Sequence, residues 1–212
     1  MLSKNCRFWA IVFICSTLTF GCAGLQVKRG VDGNILYSSA RPRLNVETGD
    51  GFKLMREIKD AKSQFFANSD GSANIEKEIY RFWNAEKKCE VQVQFHRIGR
   101  QNAYWRKFDF RGYKNLIEAG VETLNNQEYQ YGVYPNANSD GCFLVKVVGR
   151  RIGAQSDTKM IIYYAQKVGN KDSFPKWKNS GMYNAEQNKR LKAFLNAFKD
   201  DVKIADYAEK SS

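Results

Sequence analysis

"CFLVKVVGRRI" (142–152) and "TKMIIYYAQKV" (158–168) decide the fold. Both runs are dense in β-branched and aromatic side chains, which suit a pleated, packed surface. Only "GAQSD" (153–157) separates them, a short glycine-containing link that predicts an antiparallel hairpin. Outward from this pair, "IEKEIYRFW" (75–83) and "CEVQVQFHRI" (89–98) flank "NAEKK" and predict a second hairpin. In the latter run Val91, Val93 and Phe95 share one face while Gln92, Gln94 and His96 share the other. That period of two is the pattern of a half-buried strand. "RLNVE" (43–47) and "EYQYGVY" (128–134) read as further strands, and "NSDGSAN" (68–74) and "PNANSDG" (135–141) as turns.

Two segments read differently. "FKLMREI" (52–58) fits a strand through Phe52, Leu54 and Ile58, or a helix running through Leu54, Ile58, Ala61 and Phe65 to Phe66. "YKNLIEAGVETL" (113–124) predicts a short helix. Near the C-terminus the period changes: Leu191, Phe194, Leu195, Phe198, Val202 and Ala205 recur at helical spacing, with lysines and acids opposite. Asn184 followed by Gln187 three residues later predicts a capping box at that helix start. The fold class expected is α+β, a mainly antiparallel sheet with a C-terminal amphipathic helix packed on it. It forms a single domain over 35–212. The order of a strand entered through "GFKL" (51–54), then hairpins, then a closing helix resembles the Mog1/PsbP-like fold.

The first residues carry an address. Lys4 and Arg7 precede an apolar stretch from Phe8 to Phe20, and small residues follow at Gly21, Ala23 and Gly24. That order predicts a signal peptide over 1–21, since the apolar stretch falls short of the roughly 20 residues a span needs. The segment resembles a bacterial lipoprotein leader: Gly21 and Cys22 occupy the last two places of the lipobox. Leu18 stands one residue early, with Thr19 and Phe20 where that family prefers leucine and a small residue. The resemblance implies that Cys22 becomes an acylated first residue anchored in a membrane. Ala23 after it resembles the choice for sorting to the outer membrane, at its periplasmic face. Ordinary cleavage after Ala23, leaving a free start at Gly24, is the alternative. Residues 22–34, glycine-punctuated and polar, are expected to be a tether.

Of the net charge of +12, the leader holds Lys4 and Arg7, so the exported chain carries +12 less 2, or +10. Such a balance favours anionic partners, an envelope polymer or lipid headgroups; an envelope protein is the other partner expected. Export disfavours nucleic acid. Cys6 and Cys15 leave with the leader, and Cys89 and Cys142 remain as an even pair heading two strands. In an oxidising compartment they are expected to form a disulfide, with two buried thiols as the alternative.

Catalytic signatures are sparse. His96 is the one histidine and is expected at the surface, among polar neighbours. Asp109 in "FDFRGY" sits among Arg106, Lys107 and Arg111, which predicts a salt bridge. Neither GxxxxGKS nor GxGxxG occurs. No cofactor is expected, and two thiols with one imidazole offer no metal spacing. "RIGRQNAYWRKFDFRGYKN" (97–115) interleaves cations with aromatic rings. Arg97, Arg100, Trp105, Arg106, Lys107 and Arg111 are its candidate anion-binding residues, set against a plain hairpin with aromatics inward. "FPKWKNSGMY" (174–183) reads as a loop with Trp177 at a headgroup region or, more simply, covering the helix start. The expected function is a non-catalytic, exported, lipid-anchored envelope protein with a binding or assembly role. The alternatives are an extracytoplasmic binder of anionic glycan or lipid through 97–115, and a carboxylate-dependent hydrolase.

Overall fold

A computed structural model of the protein describes residues 29–39, 41–66, 71–99, 104–177 and 183–207. The expected signal peptide, Cys22, the first part of the tether and Arg100 lie outside the described residues. Two antiparallel sheets dominate, with few helices, as an α+β chain. Strands β1 (Arg29–Asp32), β2 (Ile35–Ser38) and β3 (Leu44–Thr48) form the smaller sheet with β11 (Val202–Asp206), in the order β1-β2-β3-β11. The larger sheet contains β4 (Lys53–Phe66), β5 (Gly71–Asn84), β6 (Cys89–Ile98), β7 (Glu118–Leu124), β8 (Gln127–Asn138), β9 (Gly141–Ile152) and β10 (Thr158–Gly169). Its order is β4-β5-β6-β10-β9-β8-β7. A short helix α1 (Phe174–Trp177) and the long α2 (Ala185–Asp201) follow β10.

The two hairpins expected from the strongest runs are present: Ile162 faces Val148 across β10 and β9, and Tyr80 faces Val93 across β5 and β6. Alternation along these strands divides the large sheet into two faces. The inner face carries Phe82, Val91, Val93, Phe95, Ile162, Tyr164 and Leu144. These residues join Leu36, Leu44 and Val46 of the small sheet, with Phe194 and Phe198 of α2, in one buried cluster. The outer face carries Val147, Gly149, Ile161 and Tyr163 around a second buried cluster. Coverage on both sides explains why β9 is buried at eight of its twelve positions, six of them consecutive, instead of alternating.

Several expectations change. Residues 113–124 are not a helix; β7 occupies their second half and pairs with β8 from Glu118↔Val133 to Leu124↔Gln127. Asn125 and Asn126 both adopt positive φ (47° and 56°), the conformation of a two-residue hairpin turn, so the turn and its partner strand override a weak helical period. The open choice at 52–58 resolves to strand, since β4 pairs along its length with β5. The turn expected over 135–141 contracts, because β8 runs to Asn138 and the Asn138 carboxamide oxygen accepts from Asp140 and Gly141 N–H. The tether expected to residue 34 already holds a strand at Arg29–Asp32, paired with β2.

The C-terminal helix starts as expected. The Asn184 side chain accepts from Gln187 N–H at 2.9 Å, and the Gln187 side chain accepts from Asn184 N–H at 3.0 Å. It stops at Asp201, however, and Val202 to Ala205 are strand. β3 offers an open edge there, and β-branched Val202 and Ile204 pair with Thr48 and Val46. Asp201 marks the switch: it is buried, its carboxylate accepts from Tyr164 Oη–H at 2.8 Å, and Lys87 Nζ pairs with it at 2.5 Å.

The disulfide between Cys89 and Cys142 is overturned: both are free, buried thiols. Cys89 on β6 faces Gln166 of β10, and Cys142 on β9 faces Gly169 of the same strand. β10 therefore stands between them. Two strand spacings are roughly 9–10 Å, beyond the roughly 7 Å limit of Cα separation for a bridge. Burial pushes the Cys89 thiol up to about 12. Trp177, considered for a headgroup region, is buried in α1, 5.6 Å from the Tyr183 ring.

Candidate functional site

The stretch singled out for chemistry is not a hairpin. Residues 104–117 run as an irregular strap over the outer face of the large sheet. Sequence explains both the irregularity and its docking. Aromatic residues at 105, 108, 110 and 113 are spaced to reach the sheet, while β8 and β9 present glycines where bulky side chains would block them. A methyl group at Gly149 would lie 2.8–2.9 Å from three atoms of the Phe108 ring. One at Gly132 would lie 2.8 Å from Phe110 Cβ. Phe110 is buried with Val147 and Ile161, and Phe108 stacks on it at 5.7 Å between centroids. Tyr113 continues the row, 5.4 Å from Phe110 and 5.6 Å from Tyr134 of β8.

Trp105 pins the entry of the strap. Its indole N–H is shared by the carbonyls of His96 (3.2 Å) and Asp157 (3.1 Å), and its backbone N–H donates to Ser156 O at 3.0 Å. Lys159 Nζ stands 3.7 Å from the centroid of its ring, a cation–π contact. Burial, with help from Lys77, brings the Lys159 ammonium down to about 8. His96, expected at the surface, is half-buried beneath this tryptophan, with rings 6.1 Å apart. Its Nε2 lies 2.8 Å from Gln94 Oε1. Burial first, then the nearby Lys159 and Lys77, holds it neutral and lowers its pKa to about 3. Trp105 is therefore a packing residue, and among the described residues no carboxylate partners His96 for general-base work.

The remaining candidates separate. Arg97 lies on β6, 3.7 Å from Glu76 of β5, away from the strap. Arg111 is paired with Asp109, which accepts from its side chain at 2.9 Å and from its backbone N–H at 3.0 Å. These hydrogen bonds hold the Asp109 carboxyl below its ordinary value. The salt bridge expected for Asp109 is present, and it occupies Arg111. Arg106 and Lys107 are exposed.

Lys107 and Phe108 separate two grooves. One, of about 540 Å³, runs beside Asp109, Arg111, Val121 and Tyr131. The other, of about 420 Å³, brings Lys107 and Arg151 together with Gln130, Asn126 and a single carboxylate, Glu128. Arg151 is oriented by donation to Trp105 O at 3.2 Å, whereas Arg150, opposite Met160 in β10, turns to the inner face, 5.4 Å from the Tyr129 ring centroid. Two outward-facing cations, Lys107 and Arg151, against one carboxylate, beside polar amides and the Phe108 ring, suit an anionic group on a larger ligand. Arg150 and Arg151 read in the sequence as strand residues and not as site residues. The tandem "RR" at the strand's end was the available signal, since adjacent residues in a strand point to opposite faces and one of the two arginines must reach the outer face.

A third groove, of about 590 Å³, opens at the far end of the outer face. Trp83 and Phe143 flank the small side chain of Ala165 there, and Arg81 pairs with Glu90 through two hydrogen bonds of 3.1 and 2.6 Å. Among the described residues no group of three or more His, Cys, Asp or Glu side chains could hold a metal ion. No described helix is long and apolar enough to cross a membrane. Comparison with protein families, curated proteins and solved structures finds no match to this chain.

Proposed function

We propose that this chain is an exported, lipid-anchored envelope protein, non-catalytic, whose α+β domain binds anionic groups of an envelope glycan or lipid. The observation that carries the binding role is the groove where Lys107 and Arg151 meet over the edge of Phe108, opposed by Glu128 alone. The anchoring role rests on the leader and on Cys22. In this reading the protein sits at the periplasmic face of the outer membrane, with α2 packed over the inner face of the sheet. The Tyr164 ring, 5.5 Å from Phe194 and 5.7 Å from Phe198, supports that packing.

Binding is tested by fluorescence anisotropy with labelled polyphosphate and with a carboxylated glycan, at several salt concentrations. Lys107→Glu places repulsion between the grooves and is expected to weaken binding about tenfold, with a shallower salt dependence. Equal affinity of Lys107→Glu and wild type, or no binding of either probe, refutes the groove. Anchoring is tested by intact mass from the membrane fraction: an acylated Cys22 start supports it and a free Gly24 start refutes it.

A further inference from the structure

The large sheet ends on one side at β4, which pairs with β5 and with no other strand among the described residues. Its 14 residues leave an open row of backbone donors and acceptors roughly 45 Å long. Open edges of this length are templates for another strand, unless their side chains forbid it. The side chains here are charged, but in a particular order: Arg56, Glu57, Ile58, Lys59, Asp60.

From this edge we infer that two copies of the chain join through β4, antiparallel, about a two-fold axis at Ile58. A two-fold perpendicular to an antiparallel ladder must place one residue opposite itself. With Ile58 in that place, Arg56 faces Asp60 of the second copy and Glu57 faces Lys59, and each pairing occurs twice. Moving the axis by one residue puts Glu57 against Glu57 or Lys59 against Lys59. The charge order that discourages other partners is thus self-complementary in one register.

A second observation lies across the strand. Arg56 faces Arg81 of β5, whose guanidinium is committed to Glu90. Among the described residues Arg56 has no ion pair, so an acid arriving from the open side relieves a like-charge pairing. Leu54 and Met55 are exposed on the same strand, Met55 at 68%. The register shift between Leu54 and Arg56 bounds the ladder on that side, which confines the best pairing to the five residues 56–60. The contact is small, so association is weak and concentration-dependent.

The test uses the purified full chain in mild detergent. Sedimentation velocity is expected to show a reversible monomer–dimer equilibrium. Arg56→Asp and Asp60→Arg each place like charges at both ends of the ladder and are expected to weaken self-association about tenfold or more. Mixing the two variants sets the two acids of one copy against the two arginines of the other, again at both ends, and is expected to restore a mixed dimer. Under mild oxidation Ile58→Cys is expected to give a 58–58 disulfide well above the yield of Glu57→Cys or Lys59→Cys. A monomer at every concentration, failure of the mixture to associate, or equal cross-linking at 57, 58 and 59 overturns the inference. None of these outcomes bears on the groove at Lys107, which is formed by the strap, β8 and β9.

Discussion

Gly132→Ala isolates the seating of the strap. Gly132 is buried in β8 opposite Val147, in ordinary strand conformation, so alanine is tolerated by the backbone. Removing the freedom of glycine in the unfolded chain favours the variant by about 0.5–1 kcal/mol. Against this, the new methyl lies 2.8 Å from Phe110 Cβ, 3.1 Å from Cγ and 3.4 Å from Leu116 Cδ1. Phe110 cannot swing aside freely, being held between Phe108 and Tyr113. Overpacking of this kind costs about 1–3 kcal/mol, so a net loss of about 1–2 kcal/mol is expected. Phe110→Ala alone removes a buried ring and costs about 3 kcal/mol or more. With the ring absent, the methyl of Gly132→Ala has space, so the double variant is expected to be more stable than the sum predicts, by about 1 kcal/mol or more. Urea unfolding of all four proteins measures this cycle. Strict additivity, or a Gly132→Ala protein as stable as wild type, refutes the docking of Phe110 on that glycine.

His96 has a folded pKa of about 3 against an ordinary 6.5, so the unfolded chain binds the extra proton between those values. Its contribution is present above pH 6.5 and lost as pH falls towards 3, with a slope of up to about 1.4 kcal/mol per pH unit; a His96→Gln protein that keeps the same slope in urea titrations removes this account. Lys146 is buried, paired with Glu122 at 2.7 Å and 4.1 Å from the Phe198 ring centroid. Glu122→Leu, which strands that cation, is expected to cost about 3–5 kcal/mol, whereas Lys146→Met with Glu122→Leu is expected to be near neutral by thermal unfolding. Burial raises both thiols above their ordinary values. Cys89 and Cys142 are therefore expected to resist a thiol reagent in the native state and to react after denaturation, and a peptide map showing them linked contradicts the strand order.

Local patterns determined much of this protein. The hairpin of 142–152 with 158–168 is legible because dense β-branched runs and a short glycine link act within some thirty residues. The capping box at Asn184 and Gln187 is likewise a matter of four adjacent residues, and the Asp109–Arg111 pair of three. Where a partner distant in the chain competed, tertiary structure decided. Val202 and Ile204 fit the helical stripe, yet the open edge of β3, more than 150 residues away, turned them into strand. Residues 118–124 carried a weak helical period until β8 offered a ladder. Two cysteines at strand starts looked adjacent, and the insertion of β10 between them came from the order of strands, which no short window contains. The site divides in the same way. The aromatic spacing of the strap was visible in one stretch, but its seats at Gly132 and Gly149, and the meeting of Lys107 with Arg151, exist only once three segments are stacked. Periodicity records which side of an element is apolar; it carries no information about which element will cover that side.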